Sequence, residues 1–227
     1  MQIPSNNQSI PLVIFDMDET LIAKDLSVLW HDYLVKELKL ADSSFVEEDK
    51  RHMEQYYLGA MDLDAYISFS LTPLRQYTIE QIDAFAEQFV ADEAAQYIYP
   101  DAIRRIQEIN QTGSVCMIIS ATMTLLVRAM AKHLGIDFAE GVNLEIADNH
   151  YTGKISGVPS YQNGKVIRLR QWLESQQGRY EATHFYSDSI NDLPLLLEVP
   201  NPVVINGCEK LVAEAEKRNW VQEQWVL

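Results

Sequence analysis

Hydrophobic positions follow two rhythms along the chain. Four short runs rich in apolar residues, at 12–15, 115–119, 183–186 and 203–205, are too short for helices. Runs of this kind predict strands buried on both faces of a parallel sheet. Between them the spacing changes to that of helices. Leu26, Leu29, Trp30, Tyr33, Leu34 and Leu38 form one apolar face, and Thr78 to Gln81 reads as a capping box opening a helix through Ile82, Phe85, Phe89 and Val90. Further helices are predicted over 62–74, stopped near Thr72-Pro73, and over 101–113. Another runs through Leu125, Leu126, Ala129, Met130 and Leu134 to a stop at Gly135. One more runs from Gly164 through Ile167, Leu169, Trp172 and Leu173 to Gly178, and residues 142–146 and 150–155 flank Asp148-Asn149 as a hairpin. The fold class predicted is α/β: a doubly wound, mainly parallel sheet with a small all-helical cap inserted after the first strand. Residues 1–21 and 96–227 form the core and residues 22–95 the cap. No internal repeat or low-complexity linker interrupts this plan.

Bulk properties narrow the setting without reaching the chemistry. At 227 residues and 47% hydrophobic, the chain can fill one sizeable core with a small satellite. No apolar stretch has the length of a membrane span. The first eight residues read as a short polar tail without the basic-then-apolar pattern of a secretory signal. Cys116 and Cys208 form no C-x-x-C pair and read as small buried apolar residues of a reducing compartment, so the expected location is cytoplasmic. A net charge of −15 disfavours nucleic acid or an anionic membrane as partner. A small anionic substrate stays open, because a bound divalent cation can invert the charge of a pocket.

Candidate chemistry lies where the predicted strands end. Asp16-Met17-Asp18-Glu19-Thr20 follows the first, placing two carboxylates two residues apart at the sheet edge where α/β folds bind ligands. Such a pair repels itself unless a cation or a shared proton intervenes. A capping Asp beside a solvated Asp is the plainer alternative. Ser187-Asp188-Ser189-Ile190-Asn191-Asp192 follows the third strand with more hard oxygen donors, the kind Mg²⁺ accepts. Asp188 or Ser189 also suits a helix N-cap. Ser120 ends the second strand just before a predicted helix, and Lys165 follows Gly164 at another helix start, where a cation opposes the helix dipole. Taken singly, these two read as an N-cap serine and a solvated lysine. The five histidines form no ligand-spaced pair and read as surface or strand residues, while Trp220 and Trp225 read as core packing.

The order Asp-x-Asp-x-Thr, Ser, Lys, Asp-x-x-x-Asp resembles the haloacid dehalogenase superfamily of phosphohydrolases over nearly the whole chain. The helical insert, with Tyr151-Thr152-Gly153-Lys154, Gly164-Lys165 and the 186–196 segment, is similar to its phosphoserine-phosphatase-like branch, subfamily IB. The resemblance implies a phosphatase of small phosphorylated metabolites that uses Mg²⁺ and an aspartyl-phosphate. It makes Asp16 the nucleophile and Asp18 the acid–base, with Ser120, Lys165 and Thr20 at the phosphate. Asp16, Asp18 (through its carbonyl) and Asp188 would hold the metal, with Asn191 and Asp192 supporting. Asp25 falls where relatives meet a substrate amine. The stretch 66–71, where they carry an arginine for a substrate carboxylate, has no basic residue, and Arg75 is the nearest. Glu19 stands where relatives usually have Gly, and its side chain is expected to turn outward. The cap aromatics Trp30, Tyr66, Phe69 and Tyr77 are candidates to shape a pocket for a bulkier leaving group. A phosphotransferase using the same intermediate is the alternative, and a receiver-like signalling module the more distant one.

Overall fold

The computed structural model describes residues 9–58 and 60–227, the side chains of Tyr56 and Tyr57 excepted, so the expected polar tail lies outside the described residues. Six strands form one sheet: β1 (Ile10–Phe15), β2 (Val115–Met123), β3 (Phe138–Val142), β6 (Tyr180–Ser187), β7 (Asn201–Ile205) and β8 (Val221–Glu223), in the order β3-β2-β1-β6-β7-β8. Every neighbouring pair is parallel. The apolar runs read from sequence fall within β1, β2, β6 and β7 and supply most of their buried residues. β3 and β8 are edge strands that carry polar residues and lack that signature. A separate antiparallel pair, β4 (Leu144–Ala147) and β5 (His150–Ile155), is the predicted hairpin; Asp148 and Asn149 turn it with φ of 48° and 63°.

The sheet divides its side chains between two cores. Leu12, Ile14, Met117, Ile119 and Phe185 pack against the face covered by α7 (Asn163–Ser175), α8 (Leu193–Leu196) and α9 (Glu209–Arg218). Val13, Phe15, Ile118 and Tyr186 face the other side, which carries α5 (Pro100–Gln111) and α6 (Thr124–Leu134). That second core runs on without a break into the helical segment, α1 (Leu26–Lys36), α2 (Ser43–Tyr57), α3 (Leu63–Ser70) and α4 (Ile79–Phe89). The chain leaves and rejoins the sheet layer side by side: Ala23 donates to the Tyr97 carbonyl at 2.8 Å, and Ile22 bridges Ile98. α4 begins in the predicted capping box, Thr78 with Gln81, and α6 ends at Gly135 with φ 67°. Of α2, unpredicted from sequence, Phe45, Asp49 and Met53 are buried, a narrow stripe interrupted by an acid.

Candidate active site

The strand order reverses about β1, whose neighbours are β2 and β6, and the carboxyl ends of these three strands meet at one cavity of about 460 Å³. Asp16 is the first residue past β1, fixed by its backbone N–H donating to the Tyr186 carbonyl at 2.8 Å. Lys165 reaches it from α7. Its Nζ lies 2.8 Å from Asp16 Oδ1 and 2.7 Å from Asp192 Oδ1, with all three side chains buried. Two carboxylates therefore share one ammonium. Burial alone would lower the pKa of Lys165, but Asp16 and Asp192 outweigh it and hold the lysine charged. They also account for a cation in the first turn of a helix. Gly164 lets this turn close: a Cβ there would sit 1.9 Å from the Pro159 carbonyl oxygen, so any side chain would displace the start of α7.

Asp18 is anchored differently. Oδ1 accepts from the Leu26 N–H at 2.7 Å, and Oδ2 accepts from the hydroxyls of Thr122 (2.7 Å) and Ser120 (3.1 Å). Burial raises its pKa despite these donors, the condition of a carboxyl that keeps a proton to give. Thr122 is a site residue that sequence reasoning missed. β2 runs on to Met123 instead of yielding to a helix after Ser120, so Ser120 and Thr122, two apart on one strand, point the same way. That corrects the expected placing of Ser120 at a helix start. Its hydroxyl serves Asp18, and the neighbouring cavity wall is formed by Ala121 and Thr122.

Thr20 likewise departs from the expected phosphate contact. It is fully buried, donates to Asp188 Oδ1 and accepts from the Asp188 N–H, both at 3.0 Å, so it joins the first motif to the last. Asp192 is the lysine partner and accepts from Ser187 Oγ at 2.7 Å. Asn191 lines the cavity, 3.4 Å from the Gln162 amide. Asp25 caps α1: Oδ1 accepts from the Ser27 and Val28 N–H groups. Oδ2 makes no hydrogen bond among the described residues, and Asp25 lines the cavity. Glu19 sits in the left-handed region, φ 58°, the conformation a glycine would adopt freely. Its side chain is exposed, as expected of an outward turn, and it also borders the cavity mouth. Arg75 is exposed, reaches Ser68, and is not among the cavity-lining residues. Two further corrections concern residues taken as ordinary. Cys208 is exposed at the cavity rather than buried, and His31 is wholly buried inside the helical segment.

The donor set suits a small hard cation. Asp16 and Asp188 carry the unbalanced charge. Burial, then Asp192 and Asp18, outweigh Lys165 and lift the Asp16 pKa from the ordinary 3.8 to about 7. Burial, then Asp16, Asp192 and Glu19, raise that of Asp188. Among the described residues no group of three or more Asp, Glu, His or Cys side chains is placed to hold a metal ion. Two carboxylates and the Asp18 carbonyl would leave the remaining positions to water, which Mg²⁺ favours. A measurable consequence follows. Carboxyls with folded pKa values above their unfolded ones bind more protons when folded, so without a cation stability falls as pH rises from about 4 to about 7. A divalent cation binds the ionised form and reverses that loss. Mg²⁺ at a hundred times its Kd is expected to add about 2.7 kcal/mol, or roughly 5–10 °C in Tm, at pH 8 and much less at pH 5. Thermal melts with Mg²⁺ or EDTA check this; an equal shift at both pH values would mean that the cation binds elsewhere.

The cavity thus lies at the carboxyl edge of a parallel sheet and is lined by the carboxyls of Asp16, Asp18, Asp188 and Asp192. The haloacid dehalogenase-like hydrolase family model matches residues 13–197, and the chain belongs to that family, as a phosphatase. A protein of Neisseria meningitidis serogroup C named histidinol-phosphatase is 36% identical over 215 residues, spanning 92% of this chain and 96% of the relative. A crystal structure of a Bordetella pertussis protein of unknown function superimposes with a TM-score of 0.86 at 29% identity, covering 95% of this chain and 98% of that one. A substrate-bound phosphoserine phosphatase shares the fold at 19% identity, with a TM-score of 0.64 and 95% and 92% coverage.

Proposed function

We propose that the protein is a Mg²⁺-dependent phosphomonoester hydrolase that works through a phosphate ester on Asp16 and takes a small, amine-bearing substrate without a carboxylate. The observation that carries the reading is the pairing of two carboxyls in different settings: Asp16 against Lys165 at 2.8 Å, and Asp18, half-buried, accepting from the Leu26 N–H and the Thr122 hydroxyl. A carboxylate oxygen of Asp16 attacks phosphorus as the ester P–O bond breaks, and Asp18 gives its proton to the departing oxygen, releasing an alcohol. Asp18, now ionised, takes a proton from water as that water's oxygen attacks phosphorus. The acyl–phosphate bond breaks, freeing inorganic phosphate and regenerating the Asp16 carboxylate. Lys165 offsets charge on the phosphoryl oxygens throughout. Mg²⁺, held by Asp16, Asp188 and the Asp18 carbonyl, would neutralise further phosphoryl charge and orient the group.

The leaving-group end of the cavity supports the finer reading. Asp25 offers Oδ2, and the only basic residues lining the cavity among those described are Lys165 and Lys210. An ammonium has a partner there, whereas a leaving-group carboxylate meets no arginine. Histidinol phosphate, the ester implied by the Neisseria relative's name, carries an amine and an imidazole and no carboxylate. Phosphate release from histidinol phosphate, phosphoserine and aminoethyl phosphate, with Mg²⁺ or EDTA, tests both levels. Mg²⁺-dependent release is expected, with histidinol phosphate ahead of phosphoserine by about tenfold or more in kcat/KM. Parity between the two would overturn the substrate reading, and no release from any ester would overturn the hydrolase reading.

A further inference from the structure

Of the four cap aromatics singled out in the sequence, Trp30, Phe69 and Tyr77 pack into the core, and Tyr66 lines the cavity. Its hydroxyl oxygen is buried, so the ring is the part that borders the open space. The same cavity is lined by Asp25 and by the apolar side chains of Met53, Met61 and Leu63. The ring is held by neighbours from the other helices. His31 of α1 meets it edge-on at 5.9 Å between centroids, and His52 of α2 lies tilted at 5.5 Å. His31 is itself fixed: Nδ1 is 2.7 Å from Asp49 Oδ1, off the line of a straight hydrogen bond, and Phe45 packs on the ring at 5.0 Å. A fully buried imidazole beside a buried acid thus brings α1, α2 and α3 to one point directly behind the cavity wall.

An ammonium alone would be satisfied by the Asp25 carboxylate and would have no use for an aromatic wall. A carboxylate, a π ring and an apolar wall in one slot suit a leaving group that joins an amine to a flat, electron-poor or cationic ring. We propose that Tyr66 is a specificity residue that packs against a planar heteroaromatic ring on the leaving alcohol, with His31 and Asp49 as positioning residues that set the Tyr66 ring. The inference rests on the phosphatase reading above and refines its substrate class.

The test compares two 2-aminoalkyl phosphates that differ only in carrying an imidazolyl-methyl or an isopropyl side chain, with aminoethyl phosphate as the ring-free reference. The wild-type chain is expected to prefer the imidazolyl ester. Tyr66→Leu is expected to lower kcat/KM for that ester by roughly tenfold, mainly through KM, while changing the isopropyl ester less than about threefold. Tyr66→Phe is expected to retain the preference, and Asp49→Asn to reduce it through Tyr66 without altering kcat on aminoethyl phosphate. No wild-type preference for the ring, or an equal loss on both esters in Tyr66→Leu, overturns the inference even if a variant folds poorly, since the wild-type ratio stands alone. Continued hydrolysis of aminoethyl phosphate in that event would leave the phosphatase reading intact and remove only the role of Tyr66.

Discussion

Asp16→Asn is expected to lower kcat for every phosphomonoester by about 10⁴-fold or more, the scale on which loss of a covalent nucleophile is felt. The amide is nearly the shape of the carboxyl, so the fold has no steric reason to change. Stability should not suffer either. Asp16 is ionised at a cost, its pKa lifted to about 7 by burial and by Asp192 and Asp18 against the pull of Lys165. Removing that charge relieves the metal-free chain at pH 8, and Lys165 keeps Asp192 at 2.7 Å. The variant is therefore expected to melt no lower than the wild-type chain in EDTA while losing most of its Mg²⁺-induced rise. Acid-quenched wild-type protein should carry phosphate on the peptide containing Asp16, and the variant should not. Undiminished phosphate release from Asp16→Asn would remove the covalent route altogether.

Lys165→Met should do the opposite to stability. Its ammonium is the shared partner of two buried carboxylates, and deleting it leaves both without a cation. Breaking a buried pair in this way costs about 3–5 kcal/mol. Activity should fall by roughly 10²–10³ as well, the effect of losing one preorganised charge at the reacting group. The sign of the pH dependence is fixed. Without the lysine, the lowering influence on Asp16 disappears, its folded pKa rises further above the unfolded value, and the deficit grows as pH increases. Denaturant melts at pH 5 and pH 8 read this directly. Lys165→Arg should not restore the wild-type rate, because a planar guanidinium does not replace a compact ammonium held 2.8 Å from one carboxylate and 2.7 Å from the other. A Lys165→Met protein as stable as the wild type at pH 8 would show that Asp16 and Asp192 are not both ionised in its absence.

Much of this was legible in the sequence because the acids follow apolar strands. Asp16 and Asp188 could be placed at the carboxyl edge from the runs before them alone, whereas Lys165 read singly as a solvated lysine and joined the site only through the order of the motifs. What escaped had no such flag. Thr122 follows Ser120 by the strand repeat of two, but the apolar helix beginning soon after hid the fact that β2 continues through it. Among the described side chains of α2, Phe45, Asp49 and Met53 are the buried ones, and an acid in mid-stripe hides an amphipathic pattern. β3 includes Glu140 and Gly141, and its edge position asks for no continuous apolar run. The burial of His31 depends on Asp49 and Phe45, its tertiary partners, which no local spacing reveals. The hydrogen bonds that Ser120 and Thr20 make were hidden for a similar reason. Each hydroxyl has a nearer acceptor, in Asp18 and Asp188, contributed from a distant part of the chain.

The bond from the Leu26 N–H to Asp18 makes the acid and the first helix of the cover a single latch. That N–H is one of the donors that hold the proton affinity of Asp18 down against burial. Were α1 to move away, the donor would go with it, and so would part of the burial that is the larger influence on Asp18, so its proton affinity would fall toward that of an open carboxyl. On the proposed route Asp18 is an anion once it has given its proton to the leaving group, and the Leu26 N–H then steadies the charge until the attacking water returns a proton. On the proposed reading, the residue that gives the proton is therefore also the one that fastens the start of α1 to the site.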